Sequence, residues 1–191
     1  YGYREPSIHL MSTKAAEITK IAVNCFLTTK ISYANMIGQV LAQSNLYDEI
    51  ETVLSSIGSD SRIGHKYMNF GFGFGGPCFP RDNRALSIYS NDIGIEATIS
   101  IASDDSNEKH LINQINHFVK NNNKNKEIHF EYVTYKPKST MLVESQQLKF
   151  AVLLAKKGYK VIIHERKSVV KELKKLYGDL LVYKERKWKK Y

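Results

Sequence analysis

Residues 71–82 read GFGFGGPCFPRD, so four glycines lead to a cysteine, Cys78, held between Pro77 and Pro80. Glycine admits positive φ and close approach of another molecule, while each proline fixes φ and stiffens the chain around it. Proline is favoured in a first helical turn, which predicts a helix beginning near Pro80. Cys78 then lies just ahead of the helix's positive end, where the macrodipole and free N–H groups favour thiolate over thiol. That is the setting of a nucleophile, and the competing reading is a small buried residue in a tight turn. Asp82, one turn inside the same helix, could hold a water over whatever is attached to the sulfur, or simply stabilise the helix dipole. Lys20 and Asn24 are four apart and share a helix face that continues to Thr28. A cation and an amide pointing together could stabilise the oxyanion formed when sulfur adds to a carbonyl; the ordinary alternative is a solvated polar face. Cys25 turns about 100° away toward the apolar side and reads as core.

The elements that must position these groups can be drawn from the pattern. From about Ser12 to Leu46 there is no proline, and Ile18, Ile21, Ala22, Cys25, Phe26, Ile37, Val40 and Leu41 recur at three-to-four spacing, which predicts a long amphipathic helix. YDEIETVLSSIG predicts a second helix closed by Gly58 in the C-cap manner. The segment SDSRIGHKYMNFGFGFGGPC is too glycine-rich for a helix and long enough to be functional. Helix resumes near Pro80, another is expected from about Asp105 to Val119, and NNNKNK at 121–126 reads as a linker. Beyond it EIHFEYVTY and YKVIIHE read as strands, VESQQLKFAVLLAKKG and VVKELKKLYG as helices, an alternation that implies a small parallel sheet. The expectation is an α/β chain: a mostly helical domain over 1–120 carrying the cysteine, a linker at 121–126, and a small Rossmann-like parallel-sheet domain over 127–191.

Composition narrows the function classes. Two cysteines far apart support neither a disulfide framework nor a four-cysteine zinc site, and a reducing, cytoplasmic setting fits best. No apolar run approaches the ~18 residues of a membrane span, and no basic-then-apolar leader follows Tyr1; the chain reads as cut from something larger or lacking its own start. The net charge of +9 is concentrated: residues 156–191 hold 13 Lys or Arg against 4 Asp or Glu, whereas residues 1–155 hold 15 of each. Such a segment could serve phosphate groups, or be a solvated helix face with a frayed end in ERKWKKY. Nucleic-acid binding rests on this charge and Trp188 alone and is the weakest reading.

With Lys20, Asn24, Cys78 and Asp82 assembled, the sequence resembles the nucleotide-sugar dehydrogenase family, in particular its UDP-glucose 6-dehydrogenase branch. The resemblance is carried by AAEITKIAVNCFLTTKISYANMIG and IGSDSRIGHKYMNFGFGFGGPCFPRDNRAL, and more weakly by YKPKST, Glu144-Ser145 and KKGYKVIIHE. It implies oxidation of the C6 alcohol of a UDP-sugar to a carboxylate in two NAD-dependent steps, through an aldehyde, a thiohemiacetal and a thioester on Cys78. By the same resemblance Lys20 and Asn24 steady the oxyanion and a bound water, and Asp82 assists hydrolysis. Arg62 matches an arginine that reaches the neighbouring subunit's substrate, and Tyr67, Gly73, Phe74, Gly75 and Gly76 match the substrate loop. Lys136 survives as a weak cofactor-side contact, and a homodimer through the long helix is implied.

The departures are as specific. The family's amino-terminal Rossmann domain, with its phosphate loop and catalytic glutamate, has no counterpart here, so no complete NAD site is expected in this chain. Where the family pattern runs Gly-x-x-Phe-Lys-Pro-x-Thr-x-Asp-x-Arg-Glu-Ser, this chain has YVTYKPKSTMLVES, with Tyr132, Met141 and Val143 at the glycine, aspartate and arginine positions. The alternative reading is therefore a non-enzymatic dimerisation or nucleotide-sugar-binding module derived from the family.

Overall fold

The computed structural model describes residues 7–186, and Trp188 with most of the ERKWKKY segment lies outside the described residues. Helix α1 spans Thr13–Gln43 and starts where Ser12, as N-cap, accepts the N–H of Ala15 on its hydroxyl. Its buried residues are Cys25, Thr28, Ser32, Ala34, Asn35 and Gly38, while Ile18, Phe26 and Val40 of the expected apolar stripe are exposed. The polar side chains on this face are tied to other elements: Asn83 donates to Thr28 Oγ1 at 2.8 Å, Ser32 to the Ser103 carbonyl at 3.0 Å, and Gly71 N–H to Asn35 Oδ1 at 3.0 Å.

A 3-10 turn over Tyr47–Glu49 leads into α2, Ile50–Ser59. Gly58 lies inside that helix, whose C-cap is Asp60, so the expected glycine stop is corrected. Its missing side chain instead makes room for His65, since a Cβ there would sit 2.8 Å from His65 Nδ1. Helices α3, Phe79–Asp92, and α4, Thr98–Asn121, pack on α1 and on each other. Helix α4 begins two turns earlier than the sequence pattern suggested.

After α4 the chain forms a parallel sheet of order β1-β2-β3, with β1 Ile128–Phe130, β2 Val161–Glu165 and β3 Val182–Glu185. Ile128 pairs with Val161 and Ile162 with Val182. Helices α5, Gln146–Lys156, and α6, Lys167–Tyr177, make the crossovers. β1 is shorter than expected, and β3 was not anticipated. The fold is nonetheless the expected α/β arrangement of a mostly helical part followed by a small parallel-sheet part. The main core joins Leu148, Leu154, Val161, Ile163 and Leu173 to Leu111 and Ile115 of α4, so its apolar contacts run across residues 121–126. None of the helices among the described residues is long and apolar enough to cross a membrane.

Candidate active site

The start of α3 is where the chemically capable groups meet. Cys78 is its N-cap and Pro80 sits in the first turn, as the sequence predicts. The Cys78 carbonyl accepts the Asp82 N–H at 2.8 Å, which fixes one turn between thiol and carboxylate. Asp82 is 2% exposed. Its Oδ2 accepts from Lys20 Nζ at 2.5 Å and Asn24 Nδ2 at 2.6 Å, and its Oδ1 accepts from Arg81 at 2.9 and 3.0 Å. Two members of the α1 stripe thus converge on one carboxylate from another helix, with the Lys20 side chain still 57% exposed. Burial pushes the Asp82 carboxyl up, but the hydrogen bonds from Lys20, Asn24 and Arg81 outweigh it and hold the group below the usual range. A carboxylate so stabilised is a weak base and a strong tether.

Cys78 is exposed, and Cys25 is buried with its thiol donating toward the Asp82 carbonyl at 3.5 Å. Burial pushes the Cys25 thiol up, consistent with a core residue. Cys78 stands on an open ledge and lines neither the cavity of about 690 Å³ nor that of about 550 Å³ found elsewhere in the molecule.

The loop ahead of Cys78 is built by close packing. Asn107 pins Phe74 twice, accepting its N–H at 2.8 Å and donating to its carbonyl at 3.0 Å. The Phe74 side chain is buried. A Cβ on Gly73 would fall 2.1 Å from Asn107 Oδ1, one on Gly75 2.1 Å from the Glu144 carbonyl oxygen, and one on Gly76 2.5 Å from the Tyr135 ring. Tyr67, at φ +66°, sets its ring edge-on to Phe79, beside Cys78. Arg62 is not drawn into this group; its guanidinium is exposed and binds Asp60 at 2.6 Å. Lys136 lies 5.2 Å over the Tyr135 ring.

Residues that the sequence reading did not single out complete the arrangement. Arg84 donates to Asp104 at 3.0 Å and to Glu144 at 2.9 Å, and Lys149 joins Glu144 at 2.7 Å and Glu108 at 2.9 Å. These pairs tie α3 to α4 and to the segment entering α5. Arg81 and Asn83 lie inside the quoted FPRDNRAL block, but their partners are 1 and 55 positions away and only the fold reveals the second. Asn107 carried no sequence signal at all.

Gly71, Gly73 and Gly76 have the letter spacing of a dinucleotide phosphate loop. That loop must leave a strand and open a helix with its glycine faces free, whereas here no strand precedes it among the described residues and the faces of Gly73 and Gly76 are taken by Asn107 and Tyr135. This loop thus does not fit the diphosphate of a nicotinamide dinucleotide. No group of three or more His, Cys, Asp or Glu among them is disposed to hold a metal ion.

A helical part built on a long first helix, a glycine loop running into a cysteine-capped helix, and a small parallel sheet define a recognisable class. The chain belongs to the UDP-glucose/GDP-mannose dehydrogenase family, whose central-domain model matches residues 14–109. It is 36% identical over 105 residues to UDP-glucose 6-dehydrogenase TuaD of Bacillus subtilis (strain 168), covering 53% of this chain and 22% of that protein. It is 31% identical over 159 residues to the UDP-glucose 6-dehydrogenase of Pseudomonas aeruginosa, covering 82% of this chain and 35% of that one. Its structure is similar to a UDP-glucose dehydrogenase from Pyrobaculum islandicum, with TM-score 0.78 and 29% identity over 92% of this chain and 40% of the other. The chain thus spans 22% and 35% of the length of these two curated relatives. The family is one of dehydrogenases, that is, oxidoreductases.

Proposed function

We propose that this chain carries the sulfur chemistry of an NAD-dependent UDP-glucose 6-dehydrogenase. The observation that supports it most is the convergence of Lys20 and Asn24 on the buried Asp82 one turn inside a helix capped by the exposed Cys78. In this reading the Cys78 thiol adds across the C6 aldehyde of the UDP-sugar to give a thiohemiacetal, whose oxyanion faces the Lys20 ammonium and the Asn24 amide. After two-electron oxidation the resulting thioester is cleaved by water, which releases the carboxylate and returns the free thiol. NAD is the oxidant, held by protein outside these residues. Asp82 acts chiefly by fixing Lys20 and Asn24, a role its low proton affinity suits better than that of a base.

Tyr67 and the backbone of Gly73, Phe74, Gly75 and Gly76 would shape the substrate loop, with Arg62 reaching a second subunit and Lys136 a nucleotide phosphate. Exposed Val23, Phe26, Tyr33, Met36 and Val40 on α1 support a homodimer through that helix. The division into 1–120, 121–126 and 127–191 and a cytoplasmic setting belong to the same proposal. Calorimetry with UDP-glucose, UDP-N-acetylmannosamine and GDP-mannose tests it: UDP-glucose is expected to bind best. The chain alone should form no NADH from UDP-glucose and NAD.

A second reading, a binding or dimerisation module without catalysis, is favoured by one observation. Met141 and Val143 are half exposed at positions where the family pattern has charged residues. It predicts nucleotide-sugar binding or dimerisation with Cys78 no more reactive than a free thiol of a small peptide.

A further inference from the structure

Strands β1 and β2 bring two histidines side by side. In the parallel register His129 lies opposite Ile162, so His164 is its diagonal neighbour on the same face of the sheet. The alternate residues Ile128, Phe130, Val161 and Ile163 face the main core, which leaves His129 and His164 on the opposite face. His129 is exposed and His164 half-buried. The pair involves none of Lys20, Asn24, Cys78 or Asp82, so what it does is independent of the dehydrogenase reading.

Its spacing is that of a two-nitrogen chelate. His129 Nδ1 and His164 Nε2 are 3.0 Å apart, and the rings are inclined by 27° with centroids 5.3 Å apart. Two imidazole nitrogens each about 2.0–2.1 Å from one ion lie about 2.8–3.0 Å apart at a right angle and about 3.3–3.4 Å apart at the tetrahedral angle. The observed spacing suits the first and is a few tenths of an ångström from the second. Aiming both lone pairs at one point needs rotation about χ2, a soft torsion in histidine.

A carboxylate stands behind one of the rings. His129 Nε2 lies 3.5 Å from Glu127 Oε2, and Glu127 Oε1 is bound by Lys160 at 2.6 Å. A carboxylate at the far ring nitrogen is the usual outer partner of a metal-bound histidine: it holds the proton on Nε2 and leaves the Nδ1 lone pair for the ion. Without metal that lone pair accepts the His164 Nε2–H. On binding, His164 carries its proton on Nδ1 instead, so both ligands are neutral and the ion replaces one hydrogen bond. Lys184 pairs in register with His164, but it is exposed and its long stem lets the ammonium stay in water.

Neutral imidazole suits zinc, copper and nickel, whereas magnesium and calcium take oxygen ligands. Among the described residues no third His, Cys, Asp or Glu is placed to ligate the same ion, so its other positions stay open. We propose that His129 and His164 form a two-histidine site for a divalent transition-metal ion, which clamps β1 to β2 and keeps coordination positions for water or an outside donor.

Titration calorimetry of the full chain with nickel chloride at neutral pH tests this. Saturable binding is expected, absent with magnesium chloride, together with a higher melting temperature in saturating nickel. His129→Gln and His164→Gln should each weaken binding at least about tenfold, and the double variant hardly further, because one imidazole alone is no chelate. His117→Gln, which removes an exposed histidine elsewhere, should bind as the parent does. Should His164→Gln fold poorly, the exposed variant His129→Gln carries the same comparison. Absence of saturable binding at millimolar nickel, unchanged affinity in His129→Gln, or an equal loss in His117→Gln would each overturn the proposal.

Discussion

Asp82 gathers an ammonium, an amide and a guanidinium on one buried carboxylate, and this gives the site a pH signature. Its folded-state proton affinity is lowered relative to the unfolded chain, where an aspartate titrates near ~3.9. The stabilisation is therefore fully present above that value and is lost as pH falls through the lower folded value. Asp82→Asn should lower stability at pH 7 by about 1–3 kcal/mol, and the two proteins should converge in strong acid, where the native carboxyl is neutral as well. Urea melts at the two pH values measure this, and an equal deficit at both would argue against an ionised anchor. The residue types were legible: a lysine and an asparagine four apart, and a cysteine and an aspartate four apart, each pair on one helix face. Their meeting across 62 and 58 positions of chain was not, because nothing local encodes it.

At the scale of elements, the glycine loop is held by what would otherwise be side-chain space. Gly75→Ala would drive a methyl group into the Glu144 carbonyl oxygen, a backbone atom at 2.1 Å that cannot swing away. Overpacking of this kind costs about 1–3 kcal/mol. Gly94→Ala, at φ +77° with open space around it, should cost less, about 1 kcal/mol from backbone strain alone. Thermal melts of the two variants should rank in that order, and a reversed order would mean that the loop does not rest on Glu144. Pro80 marked the start of α3 in the sequence, whereas the caps of α1 and α5, where Ser12 and Ser145 accept N–H groups of the first turn, emerge only from the fold. Gly58 was misread because a glycine near a helix end suits either a cap or a close neighbour, and His65 decides it. β3 went unseen because its residues sit in a lysine-rich stretch and become a strand only through pairing with β2.

For the molecule as a whole, the apolar residues of α1 divide between two faces: Cys25 is buried and Ile37 and Leu41 pack on the core, whereas Ile18, Phe26 and Val40 face outward. In the proposed homodimer a second copy would cover the outward face, and periodicity alone cannot tell a core-facing stripe from an interface-facing one. Sedimentation should show a dimer. Phe26→Asp combined with Met36→Asp should give a monomer of unchanged helix content, whereas a monomeric parent would remove the interface from the account. The central claim is that Cys78 faces a nucleotide-sugar site, and its most direct test is alkylation by iodoacetamide read by mass spectrometry, with Cys25 as internal reference. Cys78 is predicted to label faster than Cys25 and to be slowed severalfold by saturating UDP-glucose; a Cys78 rate unaffected by the nucleotide sugar would contradict it.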